Sequence, residues 1–151
     1  MKAFTLAEML LVLVLLSIAT ALTLPNLSKS FNQVQLQNSA NTLSFTMKYA
    51  QSLAITKNKQ IRLLFDPSYK TYQLCEINPD PTIQTCEVLK GRWGKKTPIP
   101  SDIVLTSPNT SVDFMPNGQI EKIQLRLCQK ANCLLISTQE QRGQIEVLDV
   151  N

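Results

Sequence analysis

Residues 4–24 read Phe4-Thr5-Leu6-Ala7-Glu8 and then MLLVLVLLSIATALTL, a run of apolar or small residues broken by three threonines, one serine and a single carboxylate, Glu8. As a helix at roughly 1.5 Å per residue the run is about 32 Å long, enough to cross the hydrocarbon core of a bilayer. Lys2, on the short flank, favours a cytoplasmic N-terminus.

Three readings fit this segment. Lys2, the run Met9 to Ile18 and the triplet Ala19-Thr20-Ala21 mimic the three regions of a cleaved secretory signal. An uncleaved anchor is the second, and for it Glu8 is a liability, because a carboxylate deep in a membrane helix costs about 2.5 to 3.5 kcal/mol on insertion scales. The third gives Glu8 a use. If the chain is cut after Ala3, Phe4 carries a new ammonium group at membrane depth, and Glu8 of one subunit could neutralise that of its neighbour, so that neither charge stays unpaired in apolar surroundings.

Lys2-Ala3 followed by Phe4-Thr5-Leu6-Ala7-Glu8 and a hydrophobic helix resembles the type IV prepilin signature. The resemblance implies a membrane prepilin peptidase that cuts after Ala3 and methylates the amine of Phe4, and it gives Glu8 the role of guiding subunit docking. Ala3 departs from the family's usual glycine before the cut.

Beyond this run, Pro25 lacks an amide hydrogen and is expected to kink or locally open the helix; pilins commonly carry a proline there. Leu36, Ala40, Leu43, Met47, Ala50 and Ala54 then recur at alternating spacings of four and three, which defines the apolar stripe of an amphipathic helix packed on a core. Asn58 lies near its expected end. From there the chain reads as strands over Gln60 to Phe65, Tyr69 to Cys75, Ile103 to Thr106, Ser111 to Met115, Gln119 to Cys128, Cys133 to Thr138 and Gln144 to Val150, with turns at Asp66-Pro67-Ser68 and Pro79 to Pro81. The expected class is α+β: a long N-terminal helix, half transmembrane and half amphipathic, packed on one antiparallel sheet in a pilin-like design. The expected layout is a leader at 1–3, a transmembrane helix at 4–24, its amphipathic continuation at 25–58 and an extracytoplasmic β-rich part at 59–151.

Four cysteines, no histidine and no Cys-x-x-Cys pair argue for disulfides in an oxidising compartment rather than for a zinc site. Three connectivities exist. Local pairing is preferred, because Cys128 and Cys133 bracket a length suited to a hairpin loop and Cys75 and Cys86 would then close the Pro-containing loop. No cofactor and no metal is expected, and without histidine, a Gly-rich phosphate loop or spaced carboxylates no catalytic constellation stands out. The net charge of +4, or +3 once Lys2 is removed, selects no partner by itself.

Phe114-Met115-Pro116-Asn117-Gly118 and the stretch Arg142-Gly143-Gln144-Ile145-Glu146 resemble the GspH/FimT group of minor pilins and pseudopilins. That resemblance implies a single-pass inner-membrane subunit with its C-terminal domain in the periplasm or on an extracytoplasmic filament of a type II secretion pseudopilus or type IV pilus. It would act in filament initiation or tip assembly, with other pilins, the prepilin peptidase and an inner-membrane assembly platform as partners. The alternative is a DNA-capturing competence pilin. Lys90, Arg92, Trp93, Lys95 and Lys96 set cations beside a ring that could stack on a base, whereas the group's DNA-binding Gly-Arg-x-Arg motif is here Gly143-Gln144-Ile145-Glu146, with both arginines absent.

Overall fold

The computed structural model describes residues 5–78, 85–139 and 143–150, with residues 22–29, 139 and 150 described by their backbone alone. The chain divides into two units, Met1–Gln35 and Leu36–Asn151. Helix α1, Leu6–Lys57, contributes to both. The backbone is helical at Pro25.

In the second unit the six stripe residues Leu36, Ala40, Leu43, Met47, Ala50 and Ala54 are all 2% exposed or less. The helix ends where its sequence provides a stop. Asn58 takes a left-handed conformation (φ 53°), its N–H donates to the Ile55 carbonyl at 3.3 Å, and the N–H of Lys59 donates to that of Ala54 at 3.2 Å. This pair of bonds is a Schellman cap, which satisfies two of the carbonyls a helix end leaves open.

The strands are β1 Ile61–Phe65, β2 Thr71–Ile77, β3 Cys86–Val88, β4 Thr97–Pro98, β5 Val104–Thr106, β6 Ser111–Phe114, β7 Gln124–Gln129, β8 Asn132–Gln139 and β9 Gln144–Val150. They form two antiparallel sheets rather than the single sheet expected from the sequence. One runs β3-β2-β1-β6, with β4 also paired to β2, and the other runs β5-β7-β8-β9.

The division falls inside the stretch expected as one strand from Gln119 to Cys128. Ile120 makes an isolated bridge to Phe114, and continuous pairing starts again only at Gln124. Thr138 on β8 covers the gap. Its hydroxyl accepts from the N–H of Ile123 at 2.8 Å and donates to the carbonyl of Glu121 at 2.7 Å, while the residue is 1% exposed. A side chain thus supplies the partners that the ladder cannot supply where the chain changes sheets.

Inward-facing residues of both sheets join the helix stripe in one core. Leu63 and Leu74 contribute from the first sheet, Leu125 and Ile136 from the second, and Ile120 and Ile123 from the passage between them. Ala40, Ala50 and Ala54 are fully buried in the stripe, where their small side chains leave room for the larger ones that the strands contribute.

Candidate functional site

In the N-terminal unit the expected processing residues Ala3 and Phe4 lie outside the described residues. Glu8 lies inside them, and Pro25 is described by its backbone alone. Thr5 precedes the helix, and the N–H of Glu8 donates to the Thr5 carbonyl at 3.1 Å and to its hydroxyl oxygen at 3.3 Å. Thr5-Leu6-Ala7-Glu8 has the Thr-x-x-Glu pattern of a capping box, and the carboxylate in the first turn also suits the positive end of the helix dipole. Thr5 thus caps the first turn by accepting from the Glu8 main chain, with the Glu8 carboxylate at the end of the helix that favours negative charge.

From Leu6 to Ile18 the large apolar side chains are 44 to 79% exposed. Such a run has no counterpart on a water-facing helix, where one polar face is the norm. The expected span 4–24 begins and ends outside the residues whose side chains are described, and among the described residues no helix is long and apolar enough to cross a membrane.

In the second unit the basic stretch is gathered into a small platform. Arg92–Gly94 forms a 3₁₀ turn entered through Gly91 at φ 86°. Trp93 stacks on Tyr49 of α1 with ring centroids 4.2 Å apart, Phe45 lies 6.0 Å from the same ring, and the Arg92 guanidinium sits 5.9 Å from its centroid. Gly94 is buried where any Cβ would collide with the Leu89 carbonyl oxygen. Trp93 is thus an anchor that holds the turn on the helix, and the expectation of a free ring for a nucleic-acid base is not met on the face that Tyr49 covers. Lys90 and Arg92 are exposed beside this anchor, while Lys95 and Lys96 are exposed where the chain leaves the turn, Lys96 beside Asp66 and Pro67 of the β1–β2 turn.

Next to the platform runs a groove of about 280 Å³ walled by Tyr49, Leu53, Val88, Leu89 and Trp93. Lys57, Glu76, Glu87 and Lys90 also line it, and Glu76 pairs with Lys57 at 3.3 Å and with Lys59. The hydrogen bond from Lys59, together with that from Lys57 and the charges of both, holds the Glu76 carboxyl below the usual glutamate range, and the same contact raises the Lys59 ammonium. The groove was not foreseen in the sequence. Tyr49 and Leu53 lie just off the core stripe, and the short, partly charged Cys86–Val88 carries no strand signal of its own.

Cys75 is bonded to Cys86 and Cys128 to Cys133. Each bridge joins neighbouring antiparallel strands, β2 to β3 and β7 to β8, and Cys128 and Cys133 are direct cross-strand partners with Cα atoms 4.2 Å apart. No cysteine is free.

Residues 39–143 match the family model described as type II transport protein GspH. The chain is similar in fold to the minor pseudopilin EpsH of the type 2 secretion system of Vibrio cholerae (TM-score 0.63, 12% identity, 76% of this chain and 97% of that one). It is also similar to the type IV minor pilin FimU of Pseudomonas aeruginosa (TM-score 0.60, 16% identity, 77% of this chain and 90% of that one). At the sequence level no curated protein matches. With its fold shared with both solved structures and the family model covering most of the chain, this chain belongs to the GspH family of type II transport proteins.

Proposed function

We propose that this GspH-family subunit is a single-pass protein of the inner membrane that is cut after Ala3, methylated at Phe4 and built into an extracytoplasmic filament, at its initiation or tip. It works by packing rather than by catalysis. The observation that carries this reading is the exposed apolar helix from Leu6 to Ile18, attached in sequence to a disulfide-stapled β-rich unit. Aliphatic surface of that extent is stable only in lipid or against other apolar helices. A pilin uses both in turn, resting in the bilayer before assembly and against neighbouring helices afterwards. In this reading Glu8 pairs with the Phe4 ammonium of the adjacent subunit, the prepilin peptidase makes that ammonium, and an inner-membrane platform draws the subunit out of the bilayer.

The test is the intact mass and N-terminal sequence of the protein extracted from membranes of cells that carry a prepilin peptidase. A chain starting at N-methylated Phe4 supports the reading. A start at Leu22 would mean a secreted soluble domain and an intact Met1 a plain anchor, and either result removes the filament role.

A further inference from the structure

A peptidase has to reach both sides of the bond it cuts, and helical backbone, closed on itself by its own hydrogen bonds, denies that access. The cut proposed above, between Ala3 and Phe4, lies close to the start of α1 at Leu6. Composition does not keep the helix away from it, because Met1, Lys2 and Ala3 are all of residue types that favour helix. The boundary is made by Thr5. This exposed residue stands outside the helix, yet its carbonyl accepts the first bonds, from the N–H of Glu8 at 3.1 Å and from that of Met9 at 3.3 Å. Its hydroxyl oxygen accepts from the same Glu8 N–H at 3.3 Å. A non-helical residue whose carbonyl already serves the helix, and whose side chain takes the amide three residues on, is an N-cap.

The bond that the cap replaces is the informative one. In a helix prolonged upstream, each N–H bonds the carbonyl four residues before it, so the Glu8 amide would take the Phe4 carbonyl, next to the proposed cut. Thr5 therefore competes with Phe4 for one donor. Losing the cap would move the helix boundary in one direction only. The side chains from Leu6 to Ile18 form an apolar surface suited to lipid, where amides left open by a retreating helix would find no water. The open amides can be relocated only toward the aqueous flank, through Phe4 and Ala3.

We propose that Thr5 is a positioning residue for processing: by holding the Glu8 amide it fixes the helix start at Leu6 and keeps the Ala3–Phe4 bond open to the peptidase. The reaction it serves is a hydrolysis. Water adds to the Ala3 carbonyl carbon, the bond to the Phe4 nitrogen breaks, and a proton passes to that nitrogen, leaving a carboxylate on Ala3 and the new amine on Phe4. The peptidase supplies the acid and base, and Thr5 touches neither the water nor the bond. The inference rests on the reading that the chain is cut after Ala3.

The test uses the full chain in membranes that contain a prepilin peptidase, with the ratio of uncut to cut protein followed over time by intact mass. Thr5→Ala and Thr5→Val, which cannot accept a hydrogen bond, are expected to slow the cut by about fivefold, the factor a typical cap is worth. Thr5→Ser and Thr5→Asn, which cap, should stay within about twofold of the unaltered chain. Ala3→Gly disfavours the upstream helix by another route, so adding Thr5→Ala to it should slow the cut by less than about twofold. Emission from Trp93, the one tryptophan of the chain, checks that the second unit of each variant is folded. Equal rates for all the Thr5 variants overturn the proposal, as does a Thr5→Ala loss of the same size in the Ala3→Gly chain. Fast cutting of Thr5→Val with slow cutting of Thr5→Asn overturns it in favour of a shape contact with the peptidase. Any of these results in a chain that is still cut after Ala3 sinks this proposal alone, whereas an unaltered chain that is never cut there sinks the processing reading and this proposal with it.

Discussion

Arg62 on β1 and Asp113 on β6 are register partners, and the guanidinium grips the carboxylate in two places, Nε to Oδ1 at 2.5 Å and Nη2 to Oδ2 at 2.7 Å. Gln60 adds an Nε2 bond to Oδ2 at 3.0 Å. The pair ties the edge strand β6 to the middle of its sheet on the face away from the core. Two-point charged bonds are stronger than single ones, but partial exposure of both side chains weakens them by solvent screening. Asp113→Ala is expected to cost about 1 kcal/mol and to lower the melting temperature by a few degrees. Thermal unfolding followed by circular dichroism checks it, and no change would mean that the pair is fully offset by its desolvation.

The Glu76 contacts make an acid-side prediction. Because the folded carboxyl lies below its ordinary value of 4.5, the folded state binds that proton less readily than the unfolded chain does. The contribution is therefore fully present above about pH 4.5 and is lost as pH falls through the lower folded value. Lys59, raised above 10.5, contributes below that value and loses its contribution as pH climbs through the higher folded one. Between these limits Glu76→Gln should melt below the wild type by a constant margin, and the two melting curves should converge at strongly acidic pH. Parallel profiles down to the lowest pH would assign the loss to packing instead of charge.

Thr138 serves two main-chain groups at the passage between the sheets. Thr138→Val keeps the shape, removes the hydroxyl and leaves the Ile123 amide and the Glu121 carbonyl without it, at a cost of about 1 to 3 kcal/mol. Thr138→Ser should restore most of that. Denaturant unfolding of the three proteins gives the ordering, and a valine variant as stable as the wild type would show that neither group depends on the hydroxyl.

Gly143 stands at φ 58° where a Cβ would press on the Gln51 side chain and on the Gly118 carbonyl oxygen. Gln51 itself donates to that carbonyl at 2.7 Å, so helix, inter-sheet turn and β8–β9 turn meet at this point. Gly143→Ala is expected to cost about 1 to 3 kcal/mol, combining the left-handed backbone with the clash. Adding Gln51→Ala should recover only the side-chain part, because the carbonyl stays in place. Full recovery in the double variant would locate the whole penalty in Gln51.

Much of the architecture is legible wherever a period is long enough to measure. The helix stripe from Leu36 to Ala54 and the end at Asn58 are in the sequence because a helix marks one face every three or four residues and asparagine tolerates the left-handed turn. The split into two sheets left one mark. Strict alternation fails between Ile120 and Ile123, both buried although they are three apart. β3 and β4 left none, since so few residues carry no periodicity and their pairing is imposed by β2. At the platform, composition gave the cations around Trp93 but could not give the direction of the ring, which depends on Tyr49, far away in sequence. The groove depends on the same long-range packing.

The placement of the stripe also fixes an order of events. Leu36 to Ala54 leave the ribosome early, yet the core they line is closed last by Ile145 on β9, near the C-terminus. Contacts so distant in sequence carry a loop-closure cost that local hairpins such as β7–β8 avoid. In an N-terminally tethered chain the stripe would stand bare on its helix until the final strand has crossed the membrane. For the membrane-tethered subunit proposed above, the arrival of β9, rather than synthesis of the stripe, would then set when the folded unit exists.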